Sequence, residues 1–439
     1  MPPKEWLKLA PKPRPLTDGK IWNVFLSYRS VNRGWVLNLY DVLTELGHKV
    51  FLDQYVLKPG DILINKLQEA LESSQAGVLV WSDANKDSKW VNEEYVTLQG
   101  RAIAEDFIFV SVKIDNSKLP LFAANRIYVD FSSYPDGPNG GDLLRLVHAI
   151  VGEALKQEDI RFANEQDEAA MVATALVNTA IRHRRPERLI ELFRTGGLVW
   201  ETTASLGCKV AEGLTRLAEY DKAIMVLEEL EKNFPRSIRP RQLKGLALAR
   251  RASDKTLARS KKENDKDLED AQEILGVLIE QNYMDSETMG IYARTWMDRY
   301  NNYGDIRDLR ESAKYYSTAF DKQPTDYYPG INAAAKNVFL KDWAKAAEYA
   351  DKVEKLVGLT VAEGDYWKTA TVAEVQLIKR NYKAAAELYQ KAVDIAPHED
   401  GSIRSTAGQA ELLMEQLQPP EAEKLLILNV FKDYMTPRT

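Results

Sequence analysis

The chain has 439 residues, too many for one typical hydrophobic core, so we expect two or three domains. Charged residues make up 28% and hydrophobic residues 45%, as in ordinary globular proteins, and a net charge of −6 argues against nucleic acid as a main partner. No apolar run approaches the roughly 20 residues of a membrane span, and residues 1–19 form a proline-rich arm rather than an apolar signal sequence. We therefore expect a cytoplasmic protein that does not contact membranes.

Residues that usually carry metal or nucleotide chemistry are sparse in this chain. Its one cysteine, Cys208, cannot form a disulfide within the chain, which fits a reducing compartment. The four histidines are scattered without metal-ligand spacing, so we expect no metal site. Neither a P-loop motif nor GxGxxG occurs, so no glycine-rich phosphate loop is predicted. Any chemistry must therefore be of a kind that needs few groups.

Five short apolar runs alternate with segments of helical periodicity across residues 20–155. The runs are WNVFLS, KVFLD, AGVLVW, FIFVSV and RIYVDF, at residues 22–27, 49–53, 76–81, 107–112 and 126–131. Helical patterns fall at about residues 34–46, 62–73, 90–104 and 141–155. This alternation predicts an α/β domain with a parallel sheet between helices, because strands buried on both faces read as continuous apolar runs.

Polar residues follow the first three predicted strands. Ligands of such sheets bind at the carboxyl ends of the strands, where the strand order reverses. The residues at these ends are Ser27, Tyr28, Arg29, Asp53, Ser82 and Asp83. We therefore expect the functional site at this edge of the sheet.

Residues 156–439 lack strand signals and repeat one helical spacing. A small residue is followed by a large one, an apolar one and a proline, as in Ala223-Leu227-Leu230-Pro235, Ser312-Tyr316-Ala319-Pro324 and Ala385-Tyr389-Ala392-Pro397, with weaker copies from Ala271, Ala346 and Ala422. The spacing resembles the second helix of a tetratricopeptide repeat. Residues 292–300 and 326–334 also resemble the tetratricopeptide-type central domain of certain stress-activated kinases. An all-α solenoid that binds partners or itself is therefore predicted.

Residues 20–155 resemble a Toll/interleukin-1 receptor (TIR) domain of the NAD-cleaving branch. The likeness rests on FLSYR (25–29), on VFLD (50–53) with LKPGD (57–61) and INKLQEALESS (64–74), and on SKWVNEEYVTL (88–98). The family's third box, a Phe-Trp pair, is missing. The resemblance implies a flavodoxin-like fold with five parallel strands.

The resemblance also selects one of two adjacent glutamates. If residues 90 onward are helical, Trp90 and Glu94 share a face, while Glu93 is turned away by about 100°. In the family's enzymes the glutamate four residues after this tryptophan is catalytic, which implies that role for Glu94. One carboxylate suffices because nicotinamide leaves NAD+ as a neutral base, and a carboxylate stabilises the cationic ribose. Capture by water gives ADP-ribose and capture by the adenine or a ribose hydroxyl gives a cyclised product; both stay open.

Further site residues are implied by the same resemblance. Tyr28 and Arg29 stand where family members contact the nucleotide, and Asp53 where a carboxylate orders substrate or the loop named BB. Trp90 stands where an aromatic residue lines the pocket, and Ile62 at a loop position that is aromatic in at least one enzymatic relative. NAD+ is then a substrate, and no cofactor is implied.

The leading hypothesis is a NAD+ glycohydrolase (NADase) whose repeats control homo-oligomer assembly. Residues 57–62 of the BB loop would complete a neighbouring subunit's site, and the repeats would bind a protein trigger, as in bacterial innate immune effectors of antiviral defence. The alternatives are a non-catalytic adaptor and a cyclase that makes a nucleotide signal. A phosphoacceptor receiver fits poorly, since the first strand ends in Ser-Tyr-Arg without the acidic pair that holds magnesium.

Overall fold

The computed structural model divides into two compact units, Met1–Tyr283 and Met284–Thr439. The residues that it describes are 8–29, 32–52, 63–83, 100–101, 106–119, 128–133, 137–138, 140–202, 204–235, 237–254, 257–281, 283–322, 324, 326–358, 365–395 and 400–435.

A five-stranded parallel sheet opens the first unit. Its strands are β1 (Trp22–Ser27), β2 (Val50–Phe51), β3 (Ser74–Trp81), β4 (Ile108–Lys113) and β5 (Tyr128–Asp130). They pair in the order β2-β1-β3-β4-β5, and every pair is parallel. This is the flavodoxin-like order, in which the direction of winding reverses between β1 and β3. The predicted α/β fold is confirmed, and the switch point lies at the carboxyl ends of these two strands.

Three helices of the described residues accompany the sheet. They are α1 (Arg33–Glu45), α2 (Leu63–Glu72) and α3 (Gly140–Val151). The last was predicted to reach residue 155, but Gly152 has a φ of +73°, a left-handed conformation that ends the helix. The predicted helix at about 90–104 lies outside the described residues except at 100–101, which are helical. The core of the domain includes Trp35, whose ring meets that of Phe131 edge-on with centroids 5.2 Å apart.

Seven further helices of the described ranges complete the first unit. They are α4 (Gln157–Arg182), α5 (Pro186–Thr195), α6 (Leu198–Thr202), α7 (Ser205–Arg216), α8 (Tyr220–Asn233), α9 (Arg239–Ser253) and α10 (Lys261–Glu280). Ala223, Leu227 and Leu230, the predicted repeat positions of α8, are all buried. A Cβ added at Gly207 would lie 2.6 Å from Leu230 Cδ2, so a glycine in α7 permits this close helix pairing.

The second unit contains eight helices among the described residues. They are α11 (Ser286–Tyr303), α12 (Ile306–Lys322), α13 (Tyr327–Phe339), α14 (Trp343–Val357), α15 (Tyr366–Ile378), α16 (Tyr382–Ile395), α17 (Asp400–Leu417) and α18 (Glu421–Met435). Ser312 of α12 is buried and its Oγ donates to the carbonyl of Ala293 in α11 at 2.8 Å, as expected of a small residue between paired helices. The predicted all-α repeat region is confirmed.

One predicted repeat copy departs from the pattern. Ala271 and Ala346 are buried, but Ala422 is exposed on the terminal helix α18. That helix instead buries Ile427 and Phe431, and the Phe431 ring meets Tyr389 at 5.3 Å. The prediction that Ala422 is the small residue between two paired helices is therefore wrong, because Ala422 does not face the neighbouring helix.

None of the helices in the described ranges combines the length and the apolar character that a membrane span requires.

Candidate functional site

The carboxyl ends of β1, β3 and β4 form a polar edge at the switch point. Tyr28 and Arg29 follow β1, where Ser27 pairs with Leu79 of β3. Ser82 and Asp83 follow β3, and Asp115 follows β4. Tyr28 and Arg29 are half-buried, whereas Asp83 is exposed. Tyr28, Arg29, Ser82 and Asp83 thus lie at the carboxyl edge of the sheet, where the strand pattern predicted them.

Two hydrogen-bonded links hold the polar edge together. Asn32, at the start of α1, donates from Nδ2 to Ser82 Oγ at 2.8 Å, which joins the chain after β1 to the chain after β3. The carboxylate of Asp115 accepts from the backbone N–H of Asp83 at 2.7 Å and from that of Ser117 at 2.9 Å. Because both carboxylate oxygens have donors, Asp115 fixes the loops after β3 and β4 against each other.

The other predicted site residues are Asp53, Ile62, Trp90 and Glu94, and all four lie outside the described residues. Their roles stay predictions. Trp90 and Glu94 belong to the connection between Asp83, at the polar edge, and Arg101. The Arg101 guanidinium donates to the carbonyl of Leu71 and, at 3.4 Å, to that of Ser74, the first residue of β3. Arg101 therefore lies near the amino edge of the sheet.

Sequence reasoning missed two members of the polar edge. Asp115 lies three residues after the fourth apolar run, and Asp83 lies two residues after the third, so the same rule could have found it. Asn32 was missed because an asparagine before a helix is ordinarily read as an N-cap. In the structure the Asn32 side chain does not cap the helix, and its amide donates a hydrogen bond to Ser82 Oγ instead.

Titratable groups near the sheet give no second site. Burial lowers the pKa of His48 to about 4, and this residue lies two positions before β2, at the amino edge of the sheet. The described part of the chain contains no group of three or more His, Cys, Asp or Glu side chains that could hold a metal ion. Cys208 is buried in α7.

Two family models match separate parts of the chain. Residues 24–145 match the TIR domain, and residues 219–339 match the family described as Tetratricopeptide Repeats-Sensor. The first range begins within β1 and covers the rest of the sheet with its polar edge. The second range begins just before α8 and ends with α13.

Curated relatives match only a short part of the chain. A probable 2′ cyclic ADP-D-ribose synthase, TcpB of Brucella melitensis, is 34% identical over 74 residues, which are 17% of this chain and 30% of the relative. The TMV resistance protein N of Nicotiana glutinosa is 33% identical over 79 residues, 18% of this chain and 7% of that protein. The match thus spans less than a third of the length of either relative.

Solved structures of both kinds of domain are similar to parts of the chain. The TIR domain of the Toll-related receptor TRR-2 from Hydra magnipapillata is 22% identical and covers 25% of this chain and 85% of its own, with a TM-score of 0.23. A thermophilic tetratricopeptide protein of Thermus thermophilus, TTC0263, is 17% identical and covers 46% and 96%, with a TM-score of 0.34. The two family models and the fold together show that the chain joins a TIR domain to a tetratricopeptide repeat domain.

Proposed function

We propose that the protein is a TIR enzyme that cleaves NAD+ at the nicotinamide–ribose bond, with Glu94 as the catalytic carboxylate. The observation that carries the proposal is the similarity to a probable 2′ cyclic ADP-D-ribose synthase, within a chain whose residues 24–145 match the TIR domain. An ADP-ribose product of that kind requires that nicotinamide leave the substrate. The glutamate at the family's spacing after Trp90 supplies the one group that this reaction needs.

The proposed reaction breaks the bond between the ribose anomeric carbon and the pyridinium nitrogen. The bonding electron pair leaves with nicotinamide, which departs neutral, and positive charge develops on the ribose. The Glu94 carboxylate stabilises that charge. An oxygen nucleophile then bonds to the anomeric carbon and loses its proton, and water as the nucleophile gives ADP-ribose. A ribose hydroxyl of the same molecule gives a cyclic product, which is the outcome that the relative's name favours.

Tyr28 and Arg29 are proposed to hold the nucleotide at the polar edge. A guanidinium presents paired N–H donors that match the oxygens of a pyrophosphate. Ligands of flavodoxin-like sheets bind at the switch point, and both residues follow β1 at that point. The Asn32–Ser82 hydrogen bond, at 2.8 Å, steadies the two loops between which the nucleotide would lie.

Control by the repeats has a physical route within the first unit. Asn38 of α1 is buried, and its Oδ1 accepts from Ser237 Oγ, just before α9, at 3.0 Å. Arg33 of α1 lies over the ring of Tyr283, 5.9 Å from its centroid. Asn32, which precedes the same helix on the polar edge, lies about 9 Å along the helix axis from Asn38. A shift of the repeats against α1 is therefore proposed to reach the nucleotide site through Asn32.

The α3–α4 contact makes this attachment tight. A Cβ at Gly141 of α3 would lie 1.9 Å from the carbonyl oxygen of Ala163 in α4. Asp167 of α4 accepts from the backbone N–H of Gly141 at 2.7 Å, so a carboxylate from the repeats caps the N-terminus of a TIR helix. Burial, followed by the charge of Asp167, raises the pKa of Asp142 to about 6.

The test is NAD+ consumption by the purified chain beside Glu94→Ala and Glu93→Ala, at low and high protein concentration, with products separated by chromatography. Loss of NAD+ with the wild type and Glu93→Ala but not with Glu94→Ala supports the enzyme, and the product peak distinguishes hydrolase from cyclase. A rate per molecule that rises with concentration supports control by assembly through the BB loop and the repeats. If concentrated wild-type protein leaves NAD+ intact, the adaptor function replaces this proposal.

A further inference from the structure

Lys336 is a buried lysine of the second unit whose charge has no close partner. It lies on α13 and is 4% exposed. Its ammonium lies over the rings of Tyr316 and Phe339, 5.9 Å and 5.2 Å from their centroids. Within the described part of the chain, Nζ forms no hydrogen bond, and no carboxylate oxygen lies within the 4.0 Å of an ion pair.

Such a placement is costly for a residue with only a structural role. An ammonium carries three N–H donors, and placing it where little water can reach them is unfavourable. Burial lowers the pKa of Lys336 to about 8, so the group still carries its proton at neutral pH. A methionine would fill a similar volume without this penalty. The retained charge, on a side chain that is 4% exposed, is therefore available to an anion that would replace the little solvent at Nζ.

The charged groups around Lys336 are engaged with other partners. Asp298 and Glu374 attract the ammonium from α11 and α15, and Arg294 repels it. The Asp298 carboxylate lies 3.5 Å from Arg294, four residues earlier on the same helix. Glu374 Oε1 accepts from Gln409 Nε2 at 3.1 Å. Neither carboxylate is thus placed to neutralise Lys336 directly.

These groups come from every second helix of the array. Arg294, Lys336, Glu374 and Gln409 belong to α11, α13, α15 and α17, one residue each. In a stack of helix pairs, every second helix lies on the same face. We call these four residues the Lys336 row. Solvent reaches the row, because the Arg294 side chain is 36% exposed and Glu374 and Gln409 are half-buried.

We propose that the Lys336 row binds an oxyanion, the carboxylate or phosphate group of a small ligand. The Lys336 ammonium is the principal donor, the Arg294 guanidinium adds positive charge, and the rings of Tyr316 and Phe339 exclude water from one side. This binding site is separate from the nucleotide site of the TIR domain, and it does not depend on NAD+ cleavage.

Glu374 gives the site a predictable response to pH. Burial raises the pKa of Glu374 to about 7, so this carboxyl group is partly protonated at neutral pH. A bound anion favours its protonated form, and it also favours the charged form of Lys336. Arg294, a member of the row, and Asp298 beside it keep their mutual pairing. Anion affinity should therefore fall as the pH rises from 7 to 9.

The experiment measures the thermal midpoint of the full chain in chloride buffer of fixed ionic strength, with orthophosphate in one arm and acetate in the other. Wild type and Lys345→Met should both gain stability from at least one anion, and Lys336→Met should not. Lys345 is the matched control, because it is an exposed lysine that pairs with Asp342 at 3.5 Å. The arm that responds identifies phosphate or carboxylate as the ligand group.

A second measurement avoids any dependence on the folding of the variant. Wild-type protein is acetylated with limiting acetic anhydride, and the Lys336 and Lys345 peptides are quantified by mass spectrometry. The anion that binds should slow acetylation of Lys336 several-fold and leave Lys345 unchanged. Equal midpoint shifts in Lys336→Met and wild type, or no protection of Lys336 by either anion, would overturn the proposal.

Discussion

Alanine in place of Gly141 should disrupt the packing of α3 against α4. The added Cβ would lie 1.9 Å from the carbonyl oxygen of Ala163 and 2.4 Å from its carbonyl carbon, and these are backbone atoms that no rotamer change can move. To restore a normal contact one helix must shift by more than 1 Å, by comparison with ordinary van der Waals separations of 3.4–4 Å. Overpacking typically costs about 1–3 kcal/mol, and a backbone contact belongs at the upper end, so we expect a loss of about 3 kcal/mol.

Gly276→Ala is the matched control for this prediction. Gly276 lies within helix α10, and a Cβ there would meet nothing within 4 Å. Alanine at such a helix position should stabilise the protein by about 0.5–1 kcal/mol. The assay is urea unfolding followed by tryptophan fluorescence, with midpoints compared among the wild type and the two variants. Equal midpoints for Gly141→Ala and Gly276→Ala would refute the close approach of α3 and α4.

The remaining predictions concern the α1 contact, the nucleotide and pH. Ser237→Ala should leave the buried Asn38 oxygen without its donor and lower the free energy of unfolding by about 1–2 kcal/mol. Ser260→Ala, at an exposed helix cap, should lower it by about 1 kcal/mol or less, and urea midpoints measure both changes. Arg29→Ala should raise the KM for NAD+ at least tenfold, with Arg310→Ala as an exposed control, and an unchanged KM would remove Arg29 from the site. The pKa of His48 is held at about 4, below its usual 6.5, so its stabilising contribution is present above pH 6.5 and is lost as the pH falls towards 4. His48→Gln should therefore flatten the stability profile in that interval, and the same change at the exposed His183 should not.

The parts of the fold that apolar patterning determines were predictable from the sequence. The run at 76–81 falls inside β3, and the run at 107–112 differs from β4 by one residue. β2 is shorter than its predicted 49–53, since it is an edge strand that pairs only with β1. The length of a strand thus depends on whether it has neighbours on both sides, which the sequence pattern does not show.

Hydrogen bonds between side chains far apart in the sequence were harder to predict than helices and strands. The Asn32–Ser82 bond and the Asn38–Ser237 bond join residues 50 and 199 positions apart, and no local pattern marks either pair. Lys336 was not singled out, because a lysine in a helix is ordinarily expected at a solvated surface. Only the stacking of α13 between neighbouring helices shows that this charge is buried.

The most direct test of the central claim is the initial rate of nicotinamide release by Glu94→Gln and Glu93→Gln beside the wild type. Both changes remove one charge and conserve side-chain size, so only the catalytic position should matter. Loss of a carboxylate that stabilises the ribose cation should lower the rate by about 100-fold or more in Glu94→Gln. Glu93→Gln should stay close to the wild type. Wild-type release by Glu94→Gln, or an equal loss in both variants, would contradict the assignment of Glu94 as the catalytic residue.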